Sequence, residues 1–132
     1  MNTLNPPYVS LMAAALCAVF QIVLALLVIL RRRAMRVGFL DGGDTALLKR
    51  MRAHGNFTET VPSMLLLLLM LELAGLPRAW LWGLGAALVL SRSLHAWGLL
   101  GASGSFGRVA GTVLTLLVLG AQALAILALV FR

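Results

Sequence analysis

Four long apolar stretches, separated by short polar connections, dominate the hydrophobic pattern of this chain. The stretches fall at 8–30, 57–75, 79–100 and 108–131 and are rich in leucine, alanine and valine. The first has no charged residue, and the last has none after Arg108. The second carries Glu59 and Glu72 near its two ends, and the third carries Arg92 and His95 in its second half. Each can supply the ~20 residues that a helix needs to cross a bilayer. The pattern predicts an all-α, integral membrane four-helix bundle, with residues 1–132 forming a single domain.

Turn chemistry refines these elements. The first connection, 31–44, is the only substantial one, and Phe39-Leu40-Asp41-Gly42-Gly43-Asp44 is its turn-forming part. Asp44 or Thr45 is placed to cap a helix whose first turns, 46–54, are polar and which runs on into the second span. Gly75 is the expected terminator, with Pro77 just beyond. Pro62 lies inside this helix, removes an amide donor and crowds the Thr58 carbonyl, so a kink is expected. Leu76-Pro77-Arg78 reads as a tight outer turn and 101–107 as a small-residue inner turn. Gly107 and Gly111 form a GxxxG pair at the start of the last helix, and Gly83 with Ala87 has the same spacing in the third; both suit close helix packing in lipid.

Composition supports a membrane location. Of the 132 residues, 61% are hydrophobic and only 11% charged, where a soluble domain carries about 25% charged residues. The segment before Tyr8 has no Lys or Arg, whereas Arg31-Arg32-Arg33 follows the first apolar run. That order is expected of a membrane anchor with a basic stop, not of a cleaved signal. Cys17, inside this span, reads as a small packed residue.

The net charge of +7 is concentrated between the first two spans, in Arg31, Arg32, Arg33, Arg36, Lys49, Arg50 and Arg52. The positive-inside rule then places the N-terminus outside, the first and third connections inside and the C-terminus outside. Topology accounts for the basic charge together with attraction to anionic lipid, so no nucleic-acid partner is expected. Two histidines and one cysteine lack the number and spacing for a metal site. No serine triad, phosphate loop or dinucleotide fingerprint occurs. Glu72 is expected to pair with Arg78 or to meet water, and Trp80, Trp82 and Trp97 to anchor at the interface.

The remaining polar residues form a constellation. Arg52, Asn56 and Glu59 are spaced i, i+4, i+7 and share one helical face spanning about 10 Å. Arg92 and His95, three apart, share a face on the third helix, and Arg108 opens the fourth at the same level. Such a set suits a small, multiply charged, zwitterionic ligand, because arginine grips carboxylates and Glu59 can accept from an ammonium. The competing reading is a self-satisfied network in which Glu59 neutralises Arg52 or Arg92. One carboxylate cannot neutralise three arginines, so excess positive charge remains to attract an anion.

Arg52-Ala53-His54-Gly55-Asn56-Phe57-Thr58-Glu59, followed by Pro62, resembles the signature of the MAPEG superfamily, membrane-associated proteins in eicosanoid and glutathione metabolism. The length, the four spans and the basic first connection are similar too, and the spacing of Arg92, His95 and Arg108 resembles the prostaglandin E synthase branch. The resemblance implies a homotrimer binding glutathione between subunits near the cytoplasmic side, in a bacterial inner membrane. Arg52, Asn56 and Glu59 would then hold the tripeptide, Arg92 and His95 would line the pocket, and Arg32 is the choice from the first helix. Arg108 matches the arginine beside the glutathione sulfur and would be catalytic. The chain departs from the family pattern at Thr60 and Leu99, where several members carry tyrosine, and at Val109, where the prostaglandin branch carries serine. The implied activity is therefore a glutathione S-transferase acting on lipophilic electrophiles, with peroxidase activity as a variant. Two alternatives are a non-catalytic binding protein of the same fold and a small four-span exporter. The first span lacks the acidic residue that proton coupling in such an exporter needs.

Overall fold

The computed structural model describes residues 6–101 and 106–131. They form four helices, α1 (Tyr8–Met35), α2 (Thr45–Leu73), α3 (Arg78–Leu100) and α4 (Phe106–Val130), with no strand among the described residues. The four-helix, all-α architecture agrees with the sequence pattern. Of the expected inner turn at 101–107, residues 102–105 lie outside the described residues, as does the C-terminal Arg132.

Local signals set the helix ends. Asp44 is the N-cap of α2, and its carboxylate accepts the Leu47 amide. It also pairs with Arg31 at 2.6 Å, which ties the start of α2 to the last turns of α1. At the other end, Gly75 adopts φ +81°, the amide of Leu76 reaches the Leu71 carbonyl and that of Gly75 reaches Glu72. This double hydrogen bond satisfies carbonyls that the helix end would leave open, and glycine takes the left-handed position without a Cβ penalty. The helix continues through Pro62 without interruption.

Three helices, α1, α2 and α4, are long and apolar enough to span a membrane. The 23 residues of α3 rise about 34 Å, enough to span, but Arg92, His95 and three tryptophans lower its apolarity. Both Arg92 and His95 are buried within the bundle, so the face of α3 turned to lipid stays apolar. Leucines, valines and isoleucines exposed along α1 and α4 are the complementary feature of a chain whose solvent is hydrocarbon.

The helices α2 and α3 pack on each other and on both remaining helices, while α1 and α4 do not meet. One core cluster joins Cys17 and Leu24 of α1, Phe57, Val61 and Met64 of α2, Leu88 and Ala96 of α3 and Val118 of α4. A second closes the other end around Val9, Leu68, Leu71 and Leu81. Cys17 is buried in the first cluster, as expected for a packing residue.

The closest helix pair is α3 with α4. A Cβ on Gly111 would strike the His95 backbone, and one on Gly107 would meet the Trp97 ring at 2.8 Å. The GxxxG pair therefore does bring helices together. Its counterpart on α3 is not Gly83, around which there is open space, but Gly98, whose Cβ would run into the Arg108 backbone. Spacing identified a small-residue pair on α3, but the face of α3 that meets α4 carries Gly98 instead.

Candidate functional site

On α2, Ala53 and Phe57 point into the core and are fully buried. Phe57 also stacks edge-on with Phe20 of α1, with ring centroids 5.2 Å apart. Fixing that face turns Arg52, Asn56 and Glu59 outward, since they lie on the other side of the helix. Together with Leu48, Met51 and Gly55 they line one concavity of about 350 Å³. Gly55 has nothing within 4 Å of a would-be Cβ, which leaves the floor of this groove open between the polar groups. Arg52 and Glu59 are exposed and Asn56 half-buried. The Asn56 amide donates to the Arg52 carbonyl at 3.0 Å, and its side-chain oxygen has no partner among the described residues. Arg52 and Glu59 do not pair with each other; the ion pair found among the described residues is Arg31–Asp44. Of the sequence-predicted residues, these three are the ones brought together in a single groove.

Arg32 reaches the edge of that groove. One guanidinium nitrogen lies 3.4 Å from the sulfur of Met51, a lining residue, while another donates to the carbonyls of Gly38 and Leu40. Its neighbour Arg31 is engaged with Asp44 instead.

Arg92 and His95 are placed differently. Arg92 is only 3% exposed and donates to the Thr115 hydroxyl of α4 at 2.9 Å, which passes its own proton to the Gly111 carbonyl. His95 is 6% exposed, with Nδ1 3.1 Å from the Thr112 hydroxyl and 3.3 Å from the Arg108 carbonyl. Thr112 donates to that same carbonyl, so it accepts from His95 and the ring proton belongs on Nδ1. Arg92 Nε and His95 Nε2 are buried without a hydrogen-bond partner among the described residues. These two residues thus face α4 of the same chain and do not line the α2 groove. Spacing established their common face, but its direction follows from the tight α3–α4 contact at Gly98 and Gly111.

Arg108 lies in the first turn of α4 with an exposed side chain, while its backbone is held by the Gly98 contact and by His95. Its guanidinium has no partner among the described residues and sits at a helix N-terminus, where the helix dipole also favours an anion. It belongs to the same end of the bundle as Arg52, because the core cluster that contains Phe57 also contains Ala96, beside His95.

Two polar residues play parts that the sequence did not indicate. Glu72 does not serve Arg78: its carboxylate accepts the Val9 amide at 3.0 Å, the Ser10 amide at 2.7 Å and the Ser10 hydroxyl at 2.6 Å. It therefore satisfies open donors in the first turn of α1. Gln122, fully buried in α4, donates to the Met64 carbonyl at 3.2 Å and pins α4 to α2. Only a lone glutamine in an otherwise apolar span signalled the latter.

No group of three or more metal-ligating side chains occurs among the described residues. The donors present are guanidinium, amide and carboxylate, a set for an organic zwitterion.

The chain is 31% identical over 90 residues to the inner membrane protein YecN of Escherichia coli strain K12, covering 68% of this chain and 69% of that protein. The YecN protein of Escherichia coli O6:H1 matches over the same extent. No solved structure matches. The model of the MAPEG family matches residues 10–128, nearly the whole helical bundle, and with the relatives it establishes that this multi-pass membrane protein belongs to the MAPEG family.

Proposed function

We propose that this protein binds glutathione in the α2 groove and activates its thiol for reaction with lipophilic electrophiles or peroxides, as a glutathione S-transferase of the bacterial inner membrane. The observation that carries this reading is the outward-facing set of Arg52, Asn56 and Glu59 in one groove of about 350 Å³, within the size range of small-molecule sites. Glutathione has two carboxylates, an ammonium and two amides. Arg52 suits a carboxylate, Glu59 the ammonium, and the free Asn56 oxygen an amide N–H.

A groove lined by one helix is open on its far side. In a homotrimer, a neighbouring subunit would close it, and the exposed Arg108 of that neighbour is the group suited to face the sulfur. The nucleophile is the thiolate, and a free thiol has a pKa of about 8.5. Lowering it by about two units requires roughly 2.7 kcal/mol of preference for the anion. A guanidinium at a helix start, shielded by lipid and protein, is suited to supply much of that. The thiolate then attacks an electrophilic carbon, or a peroxide oxygen, of a substrate that arrives through the bilayer. Arg92 and His95 support this arrangement indirectly, since His95 holds the Arg108 carbonyl and Arg92 holds Thr115 on the same helix.

Turnover distinguishes this from a binding protein of the same fold. The purified protein in detergent, given glutathione and an apolar aryl halide, is expected to form the thioether faster than glutathione alone. Binding without any acceleration, across several classes of electrophile and hydroperoxide, would leave the non-catalytic reading in its place.

A further inference from the structure

The first connection carries a feature that neither glutathione binding nor helix packing uses. Phe39 is 91% exposed and Leu40 is 80% exposed, side by side at the tip of a polar loop. Leu40 adopts φ +54°, a left-handed conformation uncommon for a branched residue. It is held there: the Arg32 guanidinium takes the carbonyls on either side of Phe39, those of Gly38 and Leu40. The chain also turns back at Arg36, itself at φ +54°, where the Val37 amide bonds to the Arg32 carbonyl. Arg32 belongs to the last turns of α1, the turns that leave the apolar part of the span. The loop is therefore folded down beside the exit of α1, and its two large apolar side chains project at that level.

The surrounding charge is predominantly basic, with Asp41 the acidic exception, without an ion pair among the described residues. Arg31 is neutralised by Asp44, and Arg50 is occupied by the Leu27 carbonyl. Arg33 and Arg36 are exposed, and their guanidinium groups have no hydrogen-bond or ion-pair partner among the described residues. Asp41 is turned inward to its own loop, accepting the Gly43 amide.

We propose that Phe39 and Leu40 insert into the leaflet beside the first connection while Arg33 and Arg36 bind the headgroups of anionic phospholipid, forming a lipid-docking site. Under the expected topology this is the cytoplasmic leaflet, which carries the anionic surface. Two apolar side chains flanked by unpaired arginines combine the two forces that hold peripheral segments on membranes, burial of apolar area and attraction to anionic lipid. The docked loop borders the α2 groove through Arg32 and Met51, so anionic lipid would also steady one wall of that groove.

The test uses the full chain with Cys17→Ala and Phe39→Cys, labelled at residue 39 with a small apolar fluorophore. It is placed in nanodiscs of phosphatidylcholine, with or without phosphatidylglycerol. Nitroxides at shallow acyl positions should quench the label strongly in discs containing phosphatidylglycerol, and aqueous iodide should quench it weakly. Arg33→Gln with Arg36→Gln should cut the lipid quenching by more than half, since each basic residue near the surface strengthens binding about fivefold. Equal quenching by iodide in every lipid would overturn the proposal, as would quenching indifferent to the two arginines. Shielding from both quenchers would assign the patch to a second copy of the chain and overturn it too.

Discussion

Glu72 on α2 holds Ser10 on α1 through two hydrogen bonds, at 2.7 Å to the amide and 2.6 Å to the hydroxyl, although the residues are 62 positions apart. With the Val9 amide as third donor, one carboxylate anchors the beginning of α1 to the end of α2. Hydrogen bonds to a charged group contribute about 1.5–3 kcal/mol, and removing the acceptor would leave amide donors open near hydrocarbon. Glu72→Ala is expected to destabilise the protein by about 2–3 kcal/mol, with Glu72→Gln in between. Thermal unfolding in detergent measures this; an unchanged melting temperature for Glu72→Ala would show that the clamp contributes nothing.

The α3–α4 contact predicts a contrast between glycines. Gly111→Ala would drive a methyl into the His95 backbone, and such overpacking typically costs about 1–3 kcal/mol. Gly83→Ala meets open space, so replacing a poor helix former should leave stability unchanged or raise it by up to about 1 kcal/mol. Melting temperatures of the two variants, compared in the same detergent, should move in opposite directions or differ clearly. Equal losses would mean that α3 and α4 do not meet through Gly111.

The Arg31–Asp44 pair predicts an acid-sensitive link. The Arg31 guanidinium, then the Leu47 amide, hold the Asp44 carboxyl below its ordinary value of 3.8. A carboxyl depressed in the folded state contributes stability that is present in full above the unfolded pKa and is lost as pH falls through the folded one. The contribution should thus be constant from neutral pH to about pH 5 and decline below about pH 4. Asp44→Asn keeps a capping side chain but not the ion pair, so its melting temperature should lose part of this acid dependence. Melting profiles of the two proteins from pH 7 to pH 3 check it, and parallel curves would exclude a role for the pair.

Arg108 and Arg52 should fail in different ways. Arg108→Ala is expected to bind glutathione but to lose the thiolate, whereas Arg52→Ala should weaken binding itself. Ultraviolet difference spectra at saturating glutathione report the thiolate. Equal thiolate in Arg108→Ala and the parent protein would refute the catalytic assignment.

Features that depend on neighbouring residues along the chain could be read from sequence. The Asp44 cap, the Gly75 terminator and the shared face of Arg52, Asn56 and Glu59 all follow from turn chemistry and a 3.6-residue period. What could not be read depends on how helices are rotated against each other. For Glu72 the sequence offers Arg78, close along the chain, or water, whereas its donors Val9 and Ser10 belong to the other end of the chain. Gly98 and Ala102 have the same spacing as Gly83 and Ala87, so spacing alone does not tell which glycine of α3 meets α4. The inward turn of Arg92 and His95 follows from that same contact. Phe39 and Leu40 read as turn residues in the sequence; their placement depends on Arg32, which holds the carbonyls of Gly38 and Leu40.

The central claim is that the α2 groove holds glutathione, and thermal unfolding with rising glutathione tests it most directly. A ligand that binds only the folded state raises stability as its concentration exceeds the dissociation constant, by about 2.7 kcal/mol at a hundredfold excess. The parent protein in detergent should melt at progressively higher temperature with glutathione and with its S-alkyl form, and Arg52→Ala should need far more of either. No shift at millimolar glutathione, or an equal shift in Arg52→Ala, would contradict the account.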